Sequence, residues 1–548
     1  MTPPSSKLYS KRLRGWLSYA FASEVFVIVS LTLFLPICLE QFARDNGYLL
    51  PDRIERCTAP APAGSDLAPV ESTGRCVVKI GWLWIDTASF SLYVYSISVA
   101  LQALTVISMG GIADHPPHRK ILLVTFGLFG ALSATTFLLL PSTSPVWLLS
   151  ALLASIANVG FGASVVAMNS YLPALAKDAP EVVQIREEIE DSADADETDG
   201  AAGHATESQE APLIARPPSE EHAALHAKYD AELSRATARI SSLGIALGYG
   251  AGICLLVVAL IPVTKLKGST WSLRLAIGLS GIWWAVFTIP AALWLPGGSA
   301  AAASGGGDSG DGQWNARREI VAAWKRLGGM LHPREIKRLR NTFKYLAAWF
   351  LLSDGFTTIT STAVLFGKTT LHMEPTSLIL IGVLTPLAGI LGSLLWPQLQ
   401  RRFGWTNLRV IIILVVLASA IPAYGCLGFL SVFQGDGMRF GGLTTQGEMF
   451  GLALYFGSIY GAFQSFARAF YAELLPPGEE ARWYGLFSIT DKSSSFVGPL
   501  IVGLISDMTG NIRYAFFFLV FMIWAAVPVL MSVDVERGRK DAREYTYK

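Results

Sequence analysis

Six residues able to do chemistry interrupt stretches that are otherwise apolar: Glu24, Asp354, Gln464, Arg468, Asp491 and Lys492. A charge at membrane depth is costly, so such residues point first to function. Glu24 follows YAFAS and Asp354 follows WFLLS. Carboxylates so placed can hold a substrate ammonium or a proton. Gln464 and Arg468 are four apart and share one helix face. A guanidinium there can grip a carboxylate through two parallel bonds, or pair with Glu473 or Asp491. Asp491 and Lys492 are adjacent, so they are expected to point in different directions rather than at one partner. Asn169 and Tyr171 are the first-half counterparts of the Gln464–Arg468 region. The competing reading makes Glu24 and Asp354 helix-packing acids bonded to Ser or Tyr, and makes the 464–492 group a structural network that closes a gate.

The elements that must position these residues are apolar runs of about twenty residues, the length that crosses a bilayer core as a helix. They lie at 16–38, 84–111, 119–140, 146–171, 240–264, 272–295, 343–366, 376–397, 407–430, 447–470, 483–505 and 512–532. Hydrophobic residues make up 52% of the chain and charged residues only 16%, against about 25% in soluble domains. The expected fold is an all-α membrane protein of 12 transmembrane helices. The net charge of +1 gives no reason to expect nucleic acid. There is no Walker A sequence, no CxxC pair and no HExxH zinc signature. No enzyme, cofactor or metal is therefore expected, and the energy for transport must come from a gradient or downhill flux. The first apolar run is too long for the core of a signal peptide and holds Glu24, so it reads as an uncleaved anchor.

An even number of spans puts both termini on one side. Most of the 43 Lys and Arg residues fall in loops on that side, which predicts cytosolic termini. The chain then divides into helices 1–4 over 1–176, an acidic cytosolic loop expected to be disordered over 177–238, and helices 5–6 over 239–296. A cytosolic linker with a basic amphipathic segment follows over 297–342, then helices 7–12 over 343–533 and a tail over 534–548. The segment REIVAAWKRLGGMLHPREIKRLR suits either the membrane surface or a solvated linker helix. Cys57 and Cys76 share a loop on the non-cytosolic, usually oxidising side, so a Cys57–Cys76 disulfide is expected. Asp86 and Asp507 are expected at the membrane interface.

The halves repeat weakly. FGASVVAMNSYLPALA (161–176) matches YGAFQSFARAFYAELLP (460–476), with small residues followed by an aromatic and a proline. Six plus six parallel repeats are the layout of major facilitator transporters. GGIADHPPHRK (110–120) resembles their signature G-x-x-x-D-R-x-G-R-R: Gly110 and Asp114 match, Arg119 holds a basic position, and His115, Pro117 and His118 depart from it. Gly110, Asp114, Arg119 and Glu473 are the expected gating residues. In this layout Glu24 and Asp354 occupy equivalent spans, so both are expected to reach one central cavity.

GWLSYAFASEVFVIVSLTLFLPICLEQFARDNG (15–47) and YGAFQSFARAFYAELLPPGEEARWYGLFSITDKSSSFVGPLIVGLISDMTGNIRYAFFFL (460–519) resemble the fungal autophagy-related vacuolar effluxer family. The resemblance implies a multi-pass protein of the vacuole membrane. It implies export of amino acids, leucine-like products of autophagic breakdown, to the cytosol. Glu24 or Asp354 would then meet the ammonium and Arg468 the carboxylate, and vacuolar acidity would favour coupling to protons. The alternatives are a transporter of another small solute, and a non-transporting scaffold or sensor that recruits partners through the acidic loop.

Overall fold

The computed structural model describes residues 6–58, 75–114, 116–190, 220–266, 269–297, 316–430, 441–476 and 480–545. Among the described residues, ten helices are long and apolar enough to cross a membrane. Helix 1 spans Lys7–Asp45, with a π-helical stretch at Phe26–Phe34. Helices 2 to 6 are Thr87–Asp114, Pro116–Thr136, Leu149–Asn169, Glu220–Lys265 and Thr270–Trp294. Helices 7 to 9 are Arg340–Thr369, Pro375–Phe403 and Asn407–Leu427, and helix 12 is Ala515–Met531. Helix 10, Gln446–Glu473, and helix 11, Glu480–Ser494 continued by Val497–Thr509, complete the bundle. Helix 11 is broken into pieces of 15 and 13 residues, and the Gly, Ser, Tyr and Gln residues of helix 10 keep its hydropathy below that of the ten.

The repeat is visible in bonds as well as in order. Buried Arg274, near the start of helix 6, donates to Phe137 O at 2.9 Å and Leu138 O at 2.6 Å beyond helix 3. Buried Arg513, at the start of helix 12, donates to Gly425 O at 3.1 Å in helix 9 and to Leu443 O at 3.0 Å. Each guanidinium bonds carbonyls at or beyond a helix C-terminus, where the i+4 amide donors run out. Helices 3 and 6 thus correspond to helices 9 and 12.

Some expectations change. Helix 1 runs past Cys38 to Asp45, because the π stretch and the continuing apolar face Leu35–Ala43 keep it buried. Residues 84–86 belong to a strand, not to helix 2. Tyr48–Leu49, Cys76–Ile80 and Leu83–Asp86 form a small antiparallel sheet, in which Val77, Ile85 and Trp84 supply β-branched and aromatic side chains. Cys57 is bonded to Cys76 beside this sheet, with Cα atoms 5.9 Å apart. Of the stretch expected to be disordered, 180–190 and 220–238 are helical and joined by Lys228–Glu188 at 3.0 Å and Arg239–Glu181 at 2.6 Å. Its acidic composition hid Val182, Val183 and Ile185, which pack inward; residues 191–219 lie outside the described residues. The amphipathic segment forms a helix at Ala316–Met330 whose Trp324 Nε1 donates to Ser108 Oγ at 3.2 Å, docking it on the end of helix 2.

Candidate functional site

Helix 1 is held against helix 5 by glycines four residues apart. A Cβ on Gly244 would lie 2.7 Å from the Trp16 ring, and one on Gly248 would lie 2.5 Å from Glu24 Cγ. Small residues at this spacing let two backbones meet. Trp16 Nε1 donates to Met168 O at 3.0 Å, fixing helix 1 to helix 4 as well. Glu24 is left half-buried and turned toward the second half, where the cations acting on its carboxylate are Lys492 and then Arg468. Tyr249, next to Gly248, lies within electrostatic reach of Glu24 and Arg468. Tyr460 lies within reach of Tyr249, Asp491 and Arg468, and Tyr95 of helix 2 within reach of Tyr460, Asp354 and Asp491. Helices 1, 2, 5, 10 and 11 thus contribute to one polar cluster across both halves.

An aromatic stack positions the second-half side of the cluster. Trp349 stacks on Phe487 at 4.4 Å and Phe463 at 5.7 Å, and Phe463 stacks on Phe356 at 4.3 Å. Tyr460 sits 5.4 Å from both Phe356 and Phe456, and its hydroxyl accepts from Gln464 Nε2 at 2.9 Å. Tyr345 of helix 7 donates to Ala467 O at 2.9 Å, one residue before Arg468. Arg468 itself is exposed on the cluster's open side.

Asp491 and Lys492 do not diverge as adjacency suggested. Lys492 Nζ curls back to 3.5 Å from Asp491 Oδ2, because four methylenes reach around one residue of helix. Ser353 Oγ donates to the other oxygen of Asp491.

Asp354 is bonded locally, on helices 7 and 11. Its two oxygens accept from Gly498 N at 3.0 and 2.8 Å, and Thr358 Oγ1 lies 3.4 Å away. Helix 11 breaks at Ser495–Phe496, so the amides of the next turn have no partners within the helix. Asp354 caps that turn from helix 7, as an N-cap side chain would from within one chain segment. Asp354 thus borders the cluster through Tyr95, but the helix 11 break gives it a local backbone donor that Glu24 lacks.

The other expected residues lie apart from the cluster. Asn169 is exposed at the end of helix 4. Tyr171 donates to Pro296 O at 3.1 Å and carries Arg119 over its ring at 5.1 Å. Gly110 and Asp114 occupy the last turn of helix 2; their side-chain surroundings lie outside the described residues, as does His115. Pro116 and Pro117 open helix 3, where a missing N–H costs nothing. Glu473 bonds Asn407 and pairs with Arg539 at 2.5 Å. That bond holds the Arg539 guanidinium above its usual basicity.

Sequence reasoning missed the contacts between halves at the end opposite the termini. Lys368 Nζ, at the end of helix 7, bonds Glu40, Gln41 Oε1 at 3.0 Å and Ile37 O at 3.1 Å at the end of helix 1. Arg44 Nε also reaches Glu40, at 3.3 Å. Nearby, Arg75 Nε lies 3.3 Å from Asp86 Oδ2 and also bonds Asp507 O, while Asp86 N donates to Asp507 Oδ1 at 2.8 Å. Asp86 lies before helix 2, and burial pushes its carboxyl above the usual range. At the other end, Arg12–Asp178 at 3.1 Å, Arg239–Glu181 and Glu473–Arg539 each stay within one half. The overlooked signal was positional: Glu40 and Lys368 end equivalent helices with opposite charge.

A family described as vacuole effluxer Atg22-like matches residues 9–543. Autophagy-related protein 22 of Cryptococcus neoformans var. neoformans serotype D (strain JEC21) is 41% identical, over 98% of this chain and 97% of the relative. Autophagy-related protein 22-1 of Aspergillus fumigatus is 40% identical, over 98% and 92%. Among solved structures, the partially occluded inward-open xylose transporter XylE from E. coli aligns with TM-score 0.54 at 9% identity, covering 96% of this chain and 98% of that one. The nucleoside transporter NupG aligns with TM-score 0.54 at 13% identity, covering 95% and 98%. These two likenesses establish the major facilitator-type fold.

Proposed function

The chain belongs to the vacuole effluxer Atg22-like family, a multi-pass transporter of the vacuolar membrane, and on that premise we propose that it moves free amino acids with apolar side chains, leucine-like ones above all, from the vacuole lumen to the cytosol. The observation that carries this reading is the cluster of Glu24 with Lys492 and Arg468 across the two halves. An amino acid brings one ammonium and one carboxylate. Glu24 takes the ammonium, and Arg468 with Lys492 takes the carboxylate through charge-assisted bonds. Tyr249 and Tyr460 bound the site, and the aromatic stack behind Tyr460 favours an apolar side chain over a polar one. Glu24 takes a proton when the ammonium has left, so one negative charge serves both substrate and coupling ion.

Placing both termini in the cytosol makes the Glu40–Lys368 and Arg75–Asp86–Asp507 contacts a closed lumenal gate. Export then alternates between this state and one in which the halves rock apart on the lumenal side. Asp354 acts as a positioning residue, holding the helix 11 break that sets Asp491 and Lys492. Arg119 with Tyr171, Glu473, and the Gly110–Asp114 turn brace the cytosolic ends of the helices. The deciding measurement is leucine counterflow in proteoliposomes at two lumenal pH values, with a sugar and a dipeptide as competing solutes. Saturable leucine exchange that Glu24→Gln abolishes supports the reading. Exchange of the sugar or dipeptide but not of leucine would replace the cargo.

A further inference from the structure

Helix 1 begins outside the core of the bundle, and its first two turns split their cations between two faces. Arg12 turns inward and pairs with Asp178 at 3.1 Å. Lys7, Lys11 and Arg14 stand at i, i+4 and i+7, on one face. Among the described residues none of these three finds a carboxylate. They line a cleft of about 560 Å³ with Ser10 and Trp294. Gly15 follows Arg14 on helix 1: a Cβ there would lie 3.1 Å from Trp294 Cβ, so helices 1 and 6 meet closely next to the cations. Trp294 is 36% exposed, and its neighbour Leu293 is 69% exposed at the end of the membrane-crossing helix 6. Three cations, a hydroxyl and an interfacial indole therefore converge where a phospholipid headgroup meets its acyl chains. An indole at that level is suited to the boundary, with one side apolar and the other wet.

We infer that this cleft binds the phosphorylated headgroup of an anionic membrane lipid, with phosphoinositides as the class that best matches three cations in one concavity. A single carboxylate ligand would leave two of the cations without a counter-charge. A zwitterionic headgroup would bring its own cation into a site that already holds three. The leaflet assignment rests on the proposed cytosolic termini, where anionic lipids concentrate; the binding itself does not, and neither does it depend on the cargo.

The test uses the purified full chain in detergent, titrated by native mass spectrometry with short-chain phosphatidylinositol 4-phosphate. Phosphatidylcholine of the same chain length and inorganic phosphate form the parallel arms. Each basic side chain near a membrane surface contributes enough that losing three should weaken phosphoinositide binding about 100-fold. That loss is expected for Lys7→Gln/Lys11→Gln/Arg14→Gln, with the melting temperature unchanged because all three side chains are exposed. Trp294→Ala should weaken the lipid about tenfold and leave inorganic phosphate unaffected. Arg317→Gln/Arg318→Gln, on the docked linker helix, should change neither. Equal lipid affinity in the triple variant would overturn the assignment. So would an equal loss from the linker variant, which would mean diffuse charge attraction, or phosphate binding as tight as the lipid's, which would mean a free-anion site.

Discussion

Glu24 in the first half and Asp354 in the second sit on equivalent helices after similar sequences, yet they do different things. Glu24 answers to cations of the opposite half; Asp354 answers to a backbone amide of its own half. The difference lies in their neighbours. Glu24 packs on Gly248 of an unbroken helix 5, which offers no free donor. Asp354 packs beside the break in helix 11, which does. A repeat preserves where a residue sits along a helix, but its role is set by the backbone it meets.

The contrast can be broken most directly by neutralising each carboxylate. Glu24→Gln should cut leucine counterflow about 10- to 100-fold while the melting temperature holds, since a charge-assisted interaction worth about 1.5–3 kcal/mol is lost only to the substrate. Asp354→Asn keeps an oxygen for Gly498 N and should cut flux less than tenfold, whereas Asp354→Ala should lower stability by about 1–3 kcal/mol through the unsatisfied amide. Equal flux losses for Glu24→Gln and Asp354→Asn would erase the distinction between the halves. Gly248→Val tests the packing side of the comparison: overfilling the helix 1–helix 5 contact should cost about 1–3 kcal/mol and displace Glu24, read as a thermal shift together with reduced counterflow.

A pH series probes the gate away from both carboxylates. Asp86 binds its proton more tightly in the folded state, so its contribution to stability is full below the ordinary Asp range near 4 and fades as pH rises through the raised value. The stability difference between Asp86→Asn and the parent should therefore depend on pH, widening in favour of the variant from acid toward neutral. A constant difference would remove Asp86 from the acid response of the end opposite the termini. The smallest effect is expected at the end that carries the termini. Glu473→Gln removes a half-exposed pair with Arg539 and should shift stability by less than about 1 kcal/mol, because solvent screens such pairs.

Much of the bundle was legible because apolar length is an unambiguous signal, and the family resemblance was carried by specific strings such as QSFARAFYAELLPPG. Glu24, Arg468 and Lys492 stood out because a charge inside an apolar run is conspicuous. The contacts between halves at the end opposite the termini were not legible for the opposite reason. Glu40 and Lys368 sit at helix ends, where charges are ordinary, and only the fold reveals that they touch across halves. The sheet and the helical stems at 180–190 and 220–238 were hidden by loop-like composition, which averages away a few inward-facing residues such as Val77 and Val182. The role of Asp354 could not be read from spacing at all, since it depends on where helix 11 breaks.

The Cys57–Cys76 bond has a consequence for a protein that, oriented as proposed, faces a compartment filled with hydrolases. A single proteolytic cut anywhere between those two cysteines would leave both new ends covalently attached. Arg75, next to Cys76, would stay anchored to the opposite half. On this account the transporter tolerates a nick between the two cysteines, and losing the bond would show itself less in folding than in lifetime.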